Sequence, residues 1–255
     1  MTSRATRVGR VIALAVVGGG PARADSPGAL AAPTMVAPQA LVVAGAVEGR
    51  LDGSQADLAA DLWYGLSQRL TLGLRHSQRA VGAIGAGRGL CLRGCRAGDP
   101  RYRGVALTAR FPVIDGRTRV VGEAATDVSA WSPGRAAVVI GAIARWQDRR
   151  VWAQAAPRLA IGLVGRADGN REVARVDVTV GLGLWRSLAL ELGAGTVGPA
   201  TRDFFADVAA PAWAQLVVRP TRRWGWGLAI GTDDALGGRA GRGFAAVTIE
   251  VQAQP

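Results

Sequence analysis

The stretch RVDVTVGLGLW, residues 175–185, puts Val176, Val178, Val180, Leu182 and Leu184 on one parity and Arg175, Asp177, Thr179, Gly181 and Gly183 on the other. A period of two is that of an extended strand with two unlike faces. SLALELGAG, residues 187–195, repeats the scheme, with Leu188, Leu190 and Leu192 opposite Ala189, Glu191 and Gly193. In LWYGLSQRLTLGL, residues 62–74, two such runs meet at Ser67-Gln68-Arg69, as in a β-hairpin. The alternation predicts twelve strands, at 41–50, 57–66, 70–78, 104–113, 118–127, 136–146, 151–163, 173–184, 188–197, 207–218, 223–232 and 243–252. Pro157 and Pro211 each lack a ladder donor and predict a bulge.

The connections alternate in length after the first strand. Short ones fall at 67–69, 114–117, 147–150, 185–187 and 219–222, and longer ones at 51–56, 79–103, 128–135, 164–172, 198–206 and 233–242. A soluble sandwich has no reason to sort its connections by parity. A transmembrane barrel does: tight turns gather at one rim and long loops at the other, with an even strand number bringing both ends of the sheet to the short-turn rim. The aromatic residues concur. Six of the eight tryptophans lie near the short turns, and Trp favours the membrane–water boundary. Tyr64, Phe111, Trp146, Trp224 and Trp226 are the expected interface aromatics; on strand parity Trp63, Trp152 and Trp185 should point inward.

With this signature, and with YGLSQRLTLGL (64–74) as its most typical hairpin, the region 41–252 resembles the bacterial outer-membrane β-barrel (porin-like) superfamily, without matching a particular subfamily. The resemblance implies an all-β fold: a transmembrane, antiparallel, up-and-down barrel of about twelve strands in the outer membrane, with lipid as its obligatory partner.

The amino terminus supplies an address. Arg4, Arg7 and Arg10 precede the short apolar run Val11–Val17, and Ala22-Arg23-Ala24 offers a small-x-small cleavage site, so residues 1–24 read as an export signal. Residues 25–40, with Pro27, Pro33 and Pro38, read as a flexible leader. Losing the four arginines of 1–24 takes the formal charge from +12 to +8. All 31 basic residues are Arg, but they fall in turns, loops and off-beat strand positions, with no stacking aromatics clustered beside them, which argues against a nucleic-acid partner. Cys91 and Cys95 are expected to form a loop disulfide.

If lipid bathes the apolar face, the polar parity lines the lumen. A charge facing mid-bilayer costs about 2–4 kcal/mol, and nearly every strand carries one. The expected lumen-lining residues are Asp61, Arg75, Arg110, Glu123, Arg158, Arg175, Asp177 and Glu191, with Glu48, Arg50, Arg119, Arg145 and Glu250 of the same parity. Arginines slightly outnumber acids in this set, which points to small polar or anionic solutes. Two states of such a lumen are open to the sequence: a narrow pore, and a salt-bridged lattice that passes nothing. The longest loop, 79–103, is the candidate to fold into the mouth. Catalysis finds little support, since His76 is the only histidine and Ser77 faces away from it. GAIGAGRG (82–89) lacks the ending of a phosphate loop, DGNRE (168–172) lacks the acid spacing of a calcium loop, and Asp233-Asp234 is at most a rim cation site. No cofactor and no metal is expected. A pore or structural envelope barrel is the leading reading, followed by an adhesion barrel acting through its long loops and by a soluble periplasmic β-protein; the oligomeric state is left open.

Overall fold

The structure is a computed structural model that describes residues 34–76, 89–95, 101–131, 134–167, 169–201, 208–221, 223–235 and 243–253. The expected export signal and the first part of the leader lie outside the described residues, as does GAIGAG of the longest loop. The strands are β1 (Leu41–Arg50), β2 (Ala56–Ser67), β3 (Leu70–Arg75), β4 (Leu90–Arg93), β5 (Val105–Ile114), β6 (Thr118–Trp131), β7 (Gly134–Asp148), β8 (Val151–Val164), β9 (Val173–Gly183), β10 (Leu188–Pro199), β11 (Ala212–Val218), β12 (Trp224–Thr232) and β13 (Gly243–Ala253). All pairings within the sheet are antiparallel, and β1 closes the ring by pairing with both β2 and β13. Leu41 pairs with Ala253, so the first and last wall strands meet at the short-turn rim.

β4 is the exception that keeps the count of wall positions at twelve. β3 stops at Arg75, and β4 stands beyond its end, pairing with Ala56–Leu58 of β2 on one side. On the other side Cys91 N donates to Arg101 O (2.8 Å) and Arg103 N donates to Gly89 O (2.9 Å). One place in the wall is thus filled by two pieces of chain. Cys91 and Cys95 form a disulfide at the end of β4.

Three expectations are corrected. Residues 128–135 are not a long loop: β6 and β7 run on as a tall hairpin with a register shift between Val128 and Ala130. Strand 207–218 shortens to β11, with Pro211 just before it; Pro157 stays in β8 opposite Val176, and the shift in the β7–β8 ladder lies at Ala136–Ala137 instead. The third concerns the leader. Residues 34–37 fold into the barrel from an exposed turn at Pro38-Gln39, with Thr34, Val36 and Ala40 buried.

The two faces separate along each strand. In β9, Val176, Val178, Val180 and Leu182 are exposed, whereas Asp177 and Thr179 between them are buried. The same pattern exposes Leu62, Leu72 and Leu74 and buries Asp61, Thr71 and Arg75. The core of the molecule is therefore its lumen. There Val36, Ala40, Val42, Trp63, Val121, Ile143, Ala156, Trp213 and Phe244 join in one apolar cluster drawn from strands around the whole wall. Glycines make room for the large rings: a Cβ on Gly73, Gly181 or Gly193 would overlap Trp63, Trp152 or Trp213, respectively.

Candidate functional site

The largest group of lumen-facing charges lies on one half of the wall. Arg110 and Glu123 are directly paired across β5 and β6, and Glu123, Gly141, Arg158 and Arg175 follow one another across β6 to β9. Arg110 donates through Nε (2.8 Å) and Nη2 (2.6 Å) to Glu123 Oε2. Arg158 Nε donates to Glu123 Oε1 (2.7 Å), and Arg75 Nη1 lies 3.7 Å from the same oxygen. Arg175 Nε donates to Asp177 Oδ2 (2.6 Å), which also lies 3.7 Å from Arg158 Nη1. Four guanidinium groups thus share two carboxylates. Arg158 reaches Glu123 across the face of Gly141, whose absent side chain leaves the path: a Cβ there would sit 2.8 Å from Arg158 Cγ. Arg110 also stacks over Trp63, its Cζ 4.1 Å from the ring centroid, an arrangement in which a cation meets the negative face of the indole.

The hydrogen-bonding capacity of these arginines is not exhausted. Arg75 Nε and Nη1 and Arg158 Nη2 are buried with no hydrogen-bond partner among the described residues. Arg75, Arg158 and Arg175 line a cavity of about 220 Å³ together with Asp127, Asn170 and Arg171. Asn170 and Arg171 belong to the β8–β9 loop. Asn170 Nδ2 donates to Ala136 O (2.8 Å) and Val164 O (2.6 Å), and its backbone sits over Gly162, which fixes that loop across the mouth. Among the described residues it is this loop, and not the portion of 79–103 that forms β4, that lines the cavity.

Glu191, the remaining expected lumen residue, is buried on β10 beside Arg145, Arg219 and Glu250, with Arg219 Nη2 donating to Glu250 Oε1 (2.7 Å). Asp61 is buried on β2, and its Oδ1 accepts from His76 N (2.8 Å). Tyr64, Phe111, Trp146 and Trp224 are exposed on the outward face near the short turns, with Trp226 outward and half-buried. Trp63 and Trp152 point inward and are buried, whereas Trp185 lies beyond the end of β9 and is 73% exposed, because the turn carries it off the wall.

The remaining polar motifs are accounted for locally. His76 shares its ring nitrogens with Ala60 O and the Tyr102 hydroxyl, at the long-loop end of the outward face. Asp233 pairs with Arg50, and Asp234 Oδ1 accepts from Ala210 N, so this pair of acids is engaged with the rim rather than arranged around a cation. Outside the spans, the Arg166 guanidinium holds the Glu172 carboxyl below its ordinary range. Sequence reasoning missed the inward loop residues Asn170 and Arg171 and the segment 34–40. Neither has a period to read; only Gly162 and Gly65, the small residues beneath them, hint that something passes close.

A closed ring of strands, greasy outside and charged within, is a membrane-spanning architecture, because closure satisfies every wall N–H and C=O in lipid. The solved structures agree. The NanC porin superposes with a TM-score of 0.58 over 84% of this chain and 99% of its own, at 10% identity. The chain has the fold of a porin-type outer-membrane barrel. The KdgM porin, solved in complex with disordered oligogalacturonate, gives 0.54 over 84% and 99% at 8% identity. An outer-membrane channel from Pseudomonas putida F1 gives 0.56 over 85% and 96% at 10% identity. No family model matches the sequence, and no curated protein matches it.

Proposed function

We propose that this chain is an outer-membrane diffusion channel for small anionic solutes, exported through residues 1–24 and acting without chemistry of its own. The observation that carries the reading is the arginine-rich half-wall: Arg75, Arg110, Arg158 and Arg175 around Glu123 and Asp177, with Arg171 and Asp127 at the same cavity and guanidinium N–H groups left over beside it. A lumen lined by an excess of one charge admits the opposite charge preferentially. Arg171 at the mouth extends the same field outward. The anionic oligosaccharide in the KdgM complex is consistent with this chemistry in a barrel of the same fold.

The experiment is a reversal-potential measurement on protein refolded into a planar bilayer under a KCl gradient. The wild type should favour chloride. Arg171→Glu with Arg175→Glu, both at the cavity and away from the Arg110–Glu123 pair, should move the reversal potential toward potassium. An unchanged potential would remove these side chains from the path, and an absence of conductance in every variant would reject the channel.

A further inference from the structure

We propose that residues 34–40, TMVAPQA, are a plug that closes the short-turn mouth and swings out at Pro38-Gln39 for solutes to pass; this rests on the channel reading above. Four observations place the segment there. The chain turns inward at Gln39, whose φ of 62° is in the left-handed region that few residues other than Gly adopt. An extended Gln39 would continue the line of β1 out of the rim; the left-handed one folds the chain back under the wall.

The wall is shaped to receive it. Gly65 faces the lumen, and any Cβ there would collide with the Ala37 carbonyl. Gln39 N donates to Gly65 O (2.7 Å), and Val36 N donates to the Thr71 hydroxyl (3.0 Å). Thr71 is a fully buried hydroxyl on the inner face of β3. The segment also joins the apolar filling of the lumen. Val36 and Ala40, flanked by Met35 and Ala37, belong to the same apolar cluster as Trp63 on β2, Val121 on β6, Ile143 on β7 and Trp213 on β11. Those strands lie on different sides of the barrel, so the cluster runs from wall to wall.

The segment is separable from the barrel that holds it. The β1–β2 and β1–β13 ladders start at Leu41 and do not need residues 34–39. The bond from Gly65 N to Ala40 O (3.0 Å) lies on the wall side of the turn and survives its opening. Residues 34–40 carry no charge, so no ion pair must be broken to release them. A hinge beside a closed wall, an uncharged insert and a fitted seat are what a displaceable closure requires.

The test is single-channel conductance of four refolded proteins, each shown to be folded by heat-modifiable migration: wild type, a deletion of residues 34–38, Gly65→Leu, and Val36→Cys with Thr71→Cys. The deletion should raise the steady conductance severalfold, and Gly65→Leu, which fills the seat and leaves the sequence of the segment unchanged, should shift it the same way. The oxidised double-cysteine protein should stay at the wild-type floor or below it and open on adding a thiol, with thiol-treated wild type controlling for Cys91–Cys95. If the deletion and Gly65→Leu conduct like the wild type, the plug is overturned and the channel stands. If the folded deletion is silent while the wild type conducts, the plug alone is overturned; if every folded protein is silent, both are.

Discussion

Gly141 shows how an absent side chain organises charge. Arg158 can meet Glu123 from two strands away only because its stem lies over the bare Cα between them. Gly141→Val should push Arg158 aside and cost about 1–3 kcal/mol, the range for losing a charge-assisted hydrogen bond at a buried site. The same exchange at Gly45, where nothing lies within 4 Å of an added Cβ, should be close to neutral. Urea unfolding in lipid vesicles separates the two; equal costs would mean that strand glycines matter here only for the backbone. The acid at the centre has a different weight. Glu123 is the common partner of Arg75, Arg110 and Arg158, and removing one member of a buried ion cluster strands the others, typically at about 3–5 kcal/mol.

At the scale of the element, each strand but β4, which falls inside the loop expected at 79–103, was legible because its two environments are so unlike: an apolar residue on one parity meets acyl chains, a polar one on the other meets the lumen. That contrast wrote β9 and β10 into the sequence almost residue by residue. It fades where both faces see the same surroundings. The top of the β6–β7 hairpin carries a register shift, which breaks the alternation and made a strand pair read as a loop. Residues 34–40 enter the lumen through an exposed turn at Pro38-Gln39, lie in no sheet with two unlike faces, and so have no period to read. Lateral neighbours were equally invisible, since pairing register is a property of two strands and not of one. Trp152 over Gly181 and Trp213 over Gly193 are such pairs. They suggest a rule for the element: the ring on one strand replaces the side chain missing from the next. Gly181→Val should therefore destabilise the barrel through a clash with Trp152, and adding Trp152→Ala should recover part of the loss. A double-mutant cycle with additive costs would show that the two positions do not share space.

The whole molecule depends on which face meets lipid. Val178 is exposed and Asp177 beside it is fully buried, so exchanging apolar for charged side chains should be asymmetric across one wall. Val178→Arg should cost about 2–4 kcal/mol in vesicles of membrane thickness and lose most of that cost in detergent micelles, whose interior adapts to a polar group. An equal cost in both media would mean that Val178 does not face acyl chains. The charges inside form two mixed groups: the four arginines with Glu123 and Asp177 on β3 to β9, and Glu191 and Glu250 with Arg145 and Arg219 beside them. Composition could show that both signs were present, but only the closed ring shows which of them share a group.

The split place in the wall has its own consequence. Because β4 takes over the ladder where β3 stops, pairing with Ala56–Leu58 on one side and bonding to Arg101 and Arg103 on the other, the sheet is paired on both sides at His76 and again at Gly89. Whatever is grafted between those two residues, a tag, an epitope or a second folded module, enters the protein as a passenger: it can be exchanged, enlarged or nicked while the vessel beneath it stays watertight.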